Sequence, residues 1–276
     1  MSSNREVTAH YSRGDLLSRL NAFLEEDGVD PEHPSIEALA PYDQFHSRGL
    51  EATVEVAELV QAQPGDHLLD IGSGIGGPAR WFARHFGCRV TGIDLTAPYC
   101  EVARHLTRRL GLEGRVSFEV GSALQMPFGE ASFDGAYSMN VSMNIADRDG
   151  LYREVHRVLK PGAWLLLSEI ARGEGPELEY PTPWATTAAT SFLATPQETE
   201  SGLLAAGFEV IRWRDSVEES IAYAARSRAM VARGEKPLQR AATLMHGEKA
   251  ALMGVNGTRG IAEGRIVPIE ILARRR

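Results

Sequence analysis

The sequence predicts an α/β fold, a doubly wound parallel sheet with helices on both faces, on three observations. Short apolar runs alternate with amphipathic helical periodicity through the middle of the chain. One such run, His67 to Asp70, passes directly into the glycine-rich turn Ile71-Gly72-Ser73-Gly74-Ile75-Gly76-Gly77, which opens a helix. The next run, Arg89 to Asp94, ends on a carboxylate. Glycines are needed where a chain takes positive φ and a ligand lies against its backbone, and an acid ending the following strand can accept both hydroxyls of a ribose. The pattern is that of a nucleoside-cofactor site.

The elements follow in order. Ile75, Ala79, Phe82, Ala83 and Phe86 form the apolar stripe of the first helix of this unit, and Gly87 stops it. Thr96 is positioned to cap the second, which carries Val102, Ala103, Leu106 and Leu110. Val116 to Val120 reads as a third strand and Phe133 to Met139 as a fourth. A helix with Leu151, Val155, Val158 and Leu159 on one face then reaches the turn Lys160-Pro161-Gly162, leaving His156 on an exposed face. Ala163 to Ile170 is the fifth strand. Thr195-Pro196-Gln197-Glu198 is a capping box opening a helix that ends at Gly207, and Phe208 to Arg214 is the sixth strand. Ser216-Val217-Glu218-Glu219 reads as another capping box, starting helical sequence that breaks near Gly234 to Pro237 and runs to about Gly254. Arg265 to Ala273 is the last strand.

Two segments stand outside the repeating units, the N-terminal part up to about Leu50 and the stretch from Ala171 to Ala194. Ligands of open α/β sheets sit at the carboxyl ends of the strands, so these additions are the natural cover for a substrate cavity. At 276 residues with 43% hydrophobic composition, the chain suits one domain with insertions. No apolar run reaches membrane-spanning length, and Met1 to His10 is polar, which predicts a cytoplasmic protein. Cys88 and Cys100 lack metal-cluster spacing and read as packed thiols.

The net charge of −8 disfavours nonspecific nucleic-acid or membrane binding. It hides an asymmetry, because from Arg226 onward there are 11 Lys/Arg against 4 Asp/Glu. Arg226, Arg228 and Arg233 there suggest attraction of an anionic acceptor, while a solvated helix face gives the same composition without any such role.

Gly72, Gly74 and Gly77 also satisfy the dinucleotide fingerprint, so an NAD(P)-dependent oxidoreductase is an alternative. Asp70 directly before the glycines, placed to meet an ammonium group, favours S-adenosylmethionine. So does the absence of a Tyr followed four residues later by Lys. A non-catalytic nucleoside-binding module is a further alternative.

Leu69-Asp70-Ile71-Gly72-Ser73-Gly74-Ile75-Gly76, Gly92-Ile93-Asp94-Leu95, Met126-Pro127-Phe128, Ser132-Phe133-Asp134 and Glu154 to Gly162 together resemble the class I S-adenosylmethionine-dependent methyltransferases. The likeness is to the small-molecule group that includes ubiquinone/menaquinone and sarcosine methyltransferases, and it covers about Ala52 to Ala171. It implies a Rossmann-like, seven-stranded, mostly parallel sheet with the last strand antiparallel. It also implies an N-terminal helical cover over residues 1–50 and a methyltransferase domain over 51–276, with insertions at about 171–194 and 216–262. Its function would be transfer of a methyl group to N, O or C of a small-molecule metabolite, leaving S-adenosylhomocysteine as product.

Carried over by residue, Asp70 would meet the methionine ammonium, Gly72 and Gly74 would let the backbone approach, Asp94 would take the ribose and Leu95 would pack on the adenine. Ser122 stands where relatives usually place an acid facing the adenine amino group, and the Ala123 backbone can supply another polar group. Asn140 stands where close relatives often have His; it can orient a ligand but accepts no proton at neutral pH.

Methyl transfer from a sulfonium needs alignment and exclusion of water, and no metal-ligand cluster is evident. Glu169 near the end of the fifth strand and His46 in the cluster Pro41 to His46 are candidate proton acceptors, each with a structural hydrogen-bonding role as the other reading. Met139, Met143, Trp184 and Phe192 are candidates to wall the acceptor pocket, with core packing as the alternative for the methionines.

Overall fold

The computed structural model describes residues 15–276, so the polar segment Met1 to His10 lies outside the described residues. Three helices, α1 (Leu16–Glu26), α2 (Ile36–Asp43) and α3 (Gly49–Ala57), precede the sheet. Then follow β1 (His67–Ile71), α4 (Gly77–Phe86), β2 (Arg89–Asp94), α5 (Ala97–Arg109), β3 (Val116–Val120), β4 (Phe133–Met139), α6 (Arg148–Val158) and β5 (Leu159–Arg172). The chain continues through α7 (Pro196–Ala205), β6 (Phe208–Asp215), α8 (Val217–Ala232), α9 (Ala241–His246), α10 (Lys249–Ala262) and β7 (Ile266–Arg275).

The seven strands form one sheet in the order β3-β2-β1-β4-β5-β7-β6. Neighbours are parallel except at β7, which runs antiparallel to both β5 and β6. Strand alternation feeds two cores. Leu68, Val90, Phe118, Tyr137 and Leu166 pack under α3, α4 and α5. Leu69, Ile71, Ile93, Leu165, Leu167 and Ile271 pack under α6 and α7. A third core joins Leu20, Leu24, Leu39 and Tyr42 of α1 and α2 to Ile75 of the glycine turn, Tyr99 of α5 and Leu244 of α9. The cover over the turn is therefore built from both ends of the chain.

Several local expectations change. β5 absorbs the turn expected at Lys160-Pro161-Gly162, because Leu159 already pairs with Phe133, with a register shift just beyond it. The capping box at Thr195 and Glu198 forms. Neither Thr96 nor Ser216 caps its helix through its side chain; just before each helix an aspartate accepts a different backbone N–H, Asp94 from Thr96 N and Asp215 from Val217 N. His156 is half-buried, not exposed, with its ring edge-on to Phe208. The helical sequence after Val217 divides into three helices and ends at Ala262. Cys88 and Cys100 are buried and free.

Candidate functional site

Strand order reverses between β1 and β4, and the turns that leave these two strands meet at the carboxyl edge of the sheet, where an open α/β sheet offers a ligand crevice. β1 delivers Asp70 to this edge, paired in register with Gly92 on one side and Tyr137 on the other. Asp70 is 2% exposed; the buried Tyr137 hydroxyl lies beside it as its side-chain partner, and no cationic donor bonds its Oδ2 among the described residues. Burial pushes the Asp70 carboxyl up to about 8, reinforced by the charge of Asp94 and opposed by Tyr137 and Arg80. A buried carboxylate oxygen that no cation bonds suits an incoming cationic donor.

The turn after Asp70 closes tightly against the end of β2. Gly72 and Ser73 donate to the Ile93 carbonyl at 2.8 and 3.1 Å. The half-buried Asp94 accepts from Gly74 N at 2.9 Å and Thr96 N at 2.8 Å, one bond per carboxylate oxygen. Each oxygen keeps a further lone pair, so the acid that shapes the turn can still accept from a ligand. Burial raises its pKa, and the two backbone donors oppose that rise. Beside it lie Leu95, Val120 and Leu124, three large apolar side chains that remain exposed, with Val120 paired to Asp94 across the sheet. Such a patch fits the face of a planar base. Ser122 is half-buried, and its hydroxyl accepts from Leu124 N; Ala123 packs on the neighbouring core.

Gly72 and Gly74 have φ of +71° and +54°. A Cβ on Gly72 would sit 2.3 Å from Val141, and one on Gly74 would sit 3.0 Å from the Phe45 ring. The space facing these glycines is thus occupied by the chain's own cover, a correction to the simple picture of open room for a ligand. Phe45 also packs edge-on against Tyr99, with ring centroids 5.4 Å apart.

The loop after β4 is the hub of the site. Asn140 takes a left-handed φ of +56°, donates its backbone N–H to Ser168 O at 2.8 Å, and pairs its side chain with Ser47 of the cover. Glu169, 2% exposed, accepts from Ser138 Oγ at 2.8 Å and from the backbone N–H groups of Val141 and Ser142, both at 3.0 Å. Burial raises its pKa, opposed chiefly by Arg148. Three internal donors hold this carboxylate, so Glu169 anchors the loop, the structural hydrogen-bonding role that stood beside that of a proton acceptor.

His46 is similarly enclosed. Its Nδ1 faces Ser47 O at 3.1 Å, and its Nε2 lies near Gln44 Oε1 and Thr53 Oγ1 at 3.1 and 3.0 Å. Burial lowers its pKa to about 4, so the ring is neutral at physiological pH. These bonds shape the segment between α2 and α3, the structural role that stood beside that of a base for His46.

Met143 and Trp184 share a buried cluster with Ile170, and Phe192 joins them through a 2.7 Å backbone bond to Met143 O. Trp184 Nε1 donates to Ser191 Oγ at 2.9 Å. Met139 belongs to the core under α3 and α4, so the four expected wall residues do not converge. Arg226 pairs with Glu51 and Arg233 with Glu235 on the surface.

The sequence reading passed over Phe45, Ser47, Val141 and Arg80. Phe45 lies inside the polar and aromatic cluster picked out for His46, and Ser47 directly follows it. Arg80 carries a clear signal, a charge on the turn between the apolar Ala79 and Phe82. It is fully buried, bonded to Asp43 at 2.8 Å.

Fold and site together define an α/β domain with a crevice at the carboxyl edge of its sheet, beside the glycine turn and two acids, Asp70 and Asp94. More particularly, residues 69–167 match the family model described as a methyltransferase domain. The chain is 35% identical to Methyltransferase GfsG of Streptomyces halstedii over 60% of its own length and 58% of that protein. It is 43% identical to 24-methylenesterol C-methyltransferase 2 of Oryza sativa subsp. japonica over 44% of its length and 35% of that protein. It thus spans less than two thirds of the length of these two curated relatives. Among solved structures, geranyl diphosphate C-methyltransferase from Streptomyces coelicolor A3(2) superposes with a TM-score of 0.72 at 19% identity, covering 100% of this chain and 99% of that one. The likeness carries the fold.

Proposed function

We propose that the protein is an S-adenosylmethionine-dependent methyltransferase that acts in the cytoplasm on N, O or C of a small-molecule acceptor. The observation that carries this reading is the buried Asp70 carboxyl between the glycine turn and Tyr137, whose Oδ2 is bonded by no cationic donor among the described residues. An ammonium group would stabilise the ionised form of this acid, whereas the phosphates of a nicotinamide dinucleotide offer it no cationic partner.

In this reading Asp70 takes the amino-acid ammonium, Asp94 the ribose hydroxyls, and Leu95, Val120 and Leu124 the base, with Ser122 and Ala123 at its polar edge. Asn140 joins the cover to the crevice and faces the reacting end. S-adenosylmethionine, when bound, supplies an electrophilic methyl on sulfur. The chain contributes alignment and dryness: Phe45 and Val141 close over the turn, and Glu169 fixes the loop that carries Val141 and Asn140. With Glu169 and His46 engaged internally, the acceptor's nucleophilic atom sheds its proton to solvent or arrives already neutral.

The finer reading of the acceptor as an anion is supported by the basic balance after Arg226. Of the three arginines, Arg228 is exposed and makes no ion pair among the described residues, whereas Arg226 and Arg233 are each paired with a glutamate.

Calorimetric titration with S-adenosylmethionine, S-adenosylhomocysteine and NAD tests the cofactor. Transfer of a labelled methyl group to anionic and neutral metabolites, read by mass spectrometry, tests the activity. Binding of NAD alone would overturn the reading.

A further inference from the structure

Far from Asp70 in sequence, Glu270 of β7 lies opposite Ser168 of β5 and Arg214 of β6. It is 2% exposed, and each of its oxygens is held by a different guanidinium. Oε1 accepts from Arg48 Nη2 at 3.0 Å, and Oε2 accepts from Arg214 Nε at 2.6 Å. Arg48 is itself buried and reaches both oxygens of Glu55 at 2.8 Å. Arg214 closes the ring on Glu55 at 3.0 Å and reaches Glu219 at 3.2 Å.

Buried ion pairs add little stability compared with apolar packing of the same volume, so their place in the fold is what needs an account. Arg48 is the last residue of the segment 44–48, which carries Phe45 over Gly74 and Ser47 against Asn140. Its backbone is left-handed, φ +62°, a conformation that a non-glycine residue holds only when its surroundings impose it. On its outer side Arg48 lines a surface cleft of about 510 Å³ together with Leu50, Val54, Glu55 and Tyr223, so that side offers the segment little packing. The inner hold is ionic. Ser168, opposite Glu270, is also the residue whose carbonyl receives the Asn140 N–H. One end of the segment is therefore tied to β7 through Arg48 and to the loop after β4 through Ser47, and both ties converge on the β5–β7 pairing.

We propose that Glu270 and Arg48 are positioning residues for cofactor binding: their buried pair holds the 44–48 segment closed over the glycine turn. Glu270 acts from β7 through Arg48 and touches none of the residues assigned to the cofactor. The inference rests on the cofactor reading above, in that the closed segment is the one that would cover the bound nucleoside.

The test compares E270Q and the milder R214M, at the half-buried end of the network, with L203A in the far core. Affinity for S-adenosylhomocysteine is measured by calorimetry. Trypsin cleavage after Arg48 is followed in the ligand-free proteins, each first checked for a cooperative melt. Release of the segment predicts that E270Q weakens the ligand about tenfold and speeds the Arg48 cut by a similar factor, with R214M intermediate. KM for S-adenosylmethionine should rise while kcat at saturation stays within about twofold. L203A should lower Tm while leaving affinity and the Arg48 cut unchanged. If E270Q and R214M lower Tm but behave like L203A in both assays, the network is structural and the proposal fails. If the wild type binds no S-adenosylhomocysteine, the cofactor reading falls instead, and the Arg48 cut alone then decides whether the pair holds the segment.

Discussion

Binding of S-adenosylhomocysteine should release a proton, and Asp70 should be its source. In the ligand-free protein, burial lifts this carboxyl from 3.8 to about 8, with Asp94 of β2 adding to the rise and Tyr137 of β4 and Arg80 of α4 opposing it. The ligand's ammonium favours the ionised form, so binding at lower pH must first drive the proton off. At pH 7 a group with pKa about 8 is about nine-tenths protonated, so roughly 0.9 proton should leave per ligand bound. Affinity should improve about 50-fold from pH 6 to pH 8, until the ligand's own ammonium begins to titrate. The stability of the ligand-free protein runs in the opposite sense. A carboxyl raised on folding contributes stability that is complete below its ordinary value near 4 and lost as the pH climbs through about 8, on the order of 4 kcal/mol by pH 7. Titration calorimetry in two buffers of different ionisation enthalpy measures the proton, and thermal melts across pH measure the stability. Asp94 is also raised by burial, so D70N is the necessary control. That variant should bind weakly without the pH slope and should melt higher than wild type above pH 7 when ligand-free. Proton release unchanged in D70N, or affinity flat from pH 6 to 8, would refute the assignment.

Asp94→Ala should weaken S-adenosylhomocysteine by about 1.5–3 kcal/mol through lost charge-assisted bonds, and should also lower Tm because Gly74 N and Thr96 N lose their acceptor; unchanged calorimetric affinity in the folded variant would remove it from the site. Glu169→Gln puts an amide NH₂ or a neutral oxygen where two backbone donors expect a carboxylate, so it should cost about 1–3 kcal/mol of stability by denaturant melt while turnover falls less than about tenfold. A loss of ~10²–10⁴ in turnover at unchanged stability would restore its role as a base. Gly72→Ala should cost at least about 1–2 kcal/mol for left-handed backbone alone and should displace Val141, so that Tm and ligand affinity fall together; wild-type binding in that variant would show that the loop after β4 is free to move.

The proposed cofactor half of the site is local in sequence. Asp70, Gly72 and Gly74 lie within five residues, and Asp94 is one helix and one strand further on. Each owes its place to a requirement written at that position, a left-handed φ or a strand that ends on an acid. Strands β2, β3 and β4 were read to the residue for the same reason, their apolar runs being bounded by turn signals. What the sequence left open depends on pairing across long separations. Glu169 looked like a base because it carries a carboxylate at the right edge of the sheet. Only the fold brings it Ser138, Val141 and Ser142, some thirty residues away, as donors. Glu270, 222 residues from Arg48, had no local signature at all.

This division has a chemical reason. The cofactor is chemically fixed, so the residues that meet it are constrained by one ligand and can be compact in sequence. The cover must close on that ligand and also leave room for an acceptor, and it is assembled from segments that close independently. The segment 44–48 shows how they are joined. Gln239, from the linker between α8 and α9, donates to the carbonyls of Gln44 and His46. Asn140 holds Ser47, and Glu270 holds Arg48. The loop after β4 reaches the other way as well: Asn144 donates to Trp184 O and Thr190 O at 2.9 and 3.0 Å, and Arg148 bridges Ser142 Oγ to Phe192 O. The N-terminal cover and the segment after β5 thus share one support, the loop that Glu169 anchors. A change of acceptor that moved the 184–192 segment would be felt at Asn140 and Ser47, on the cofactor side.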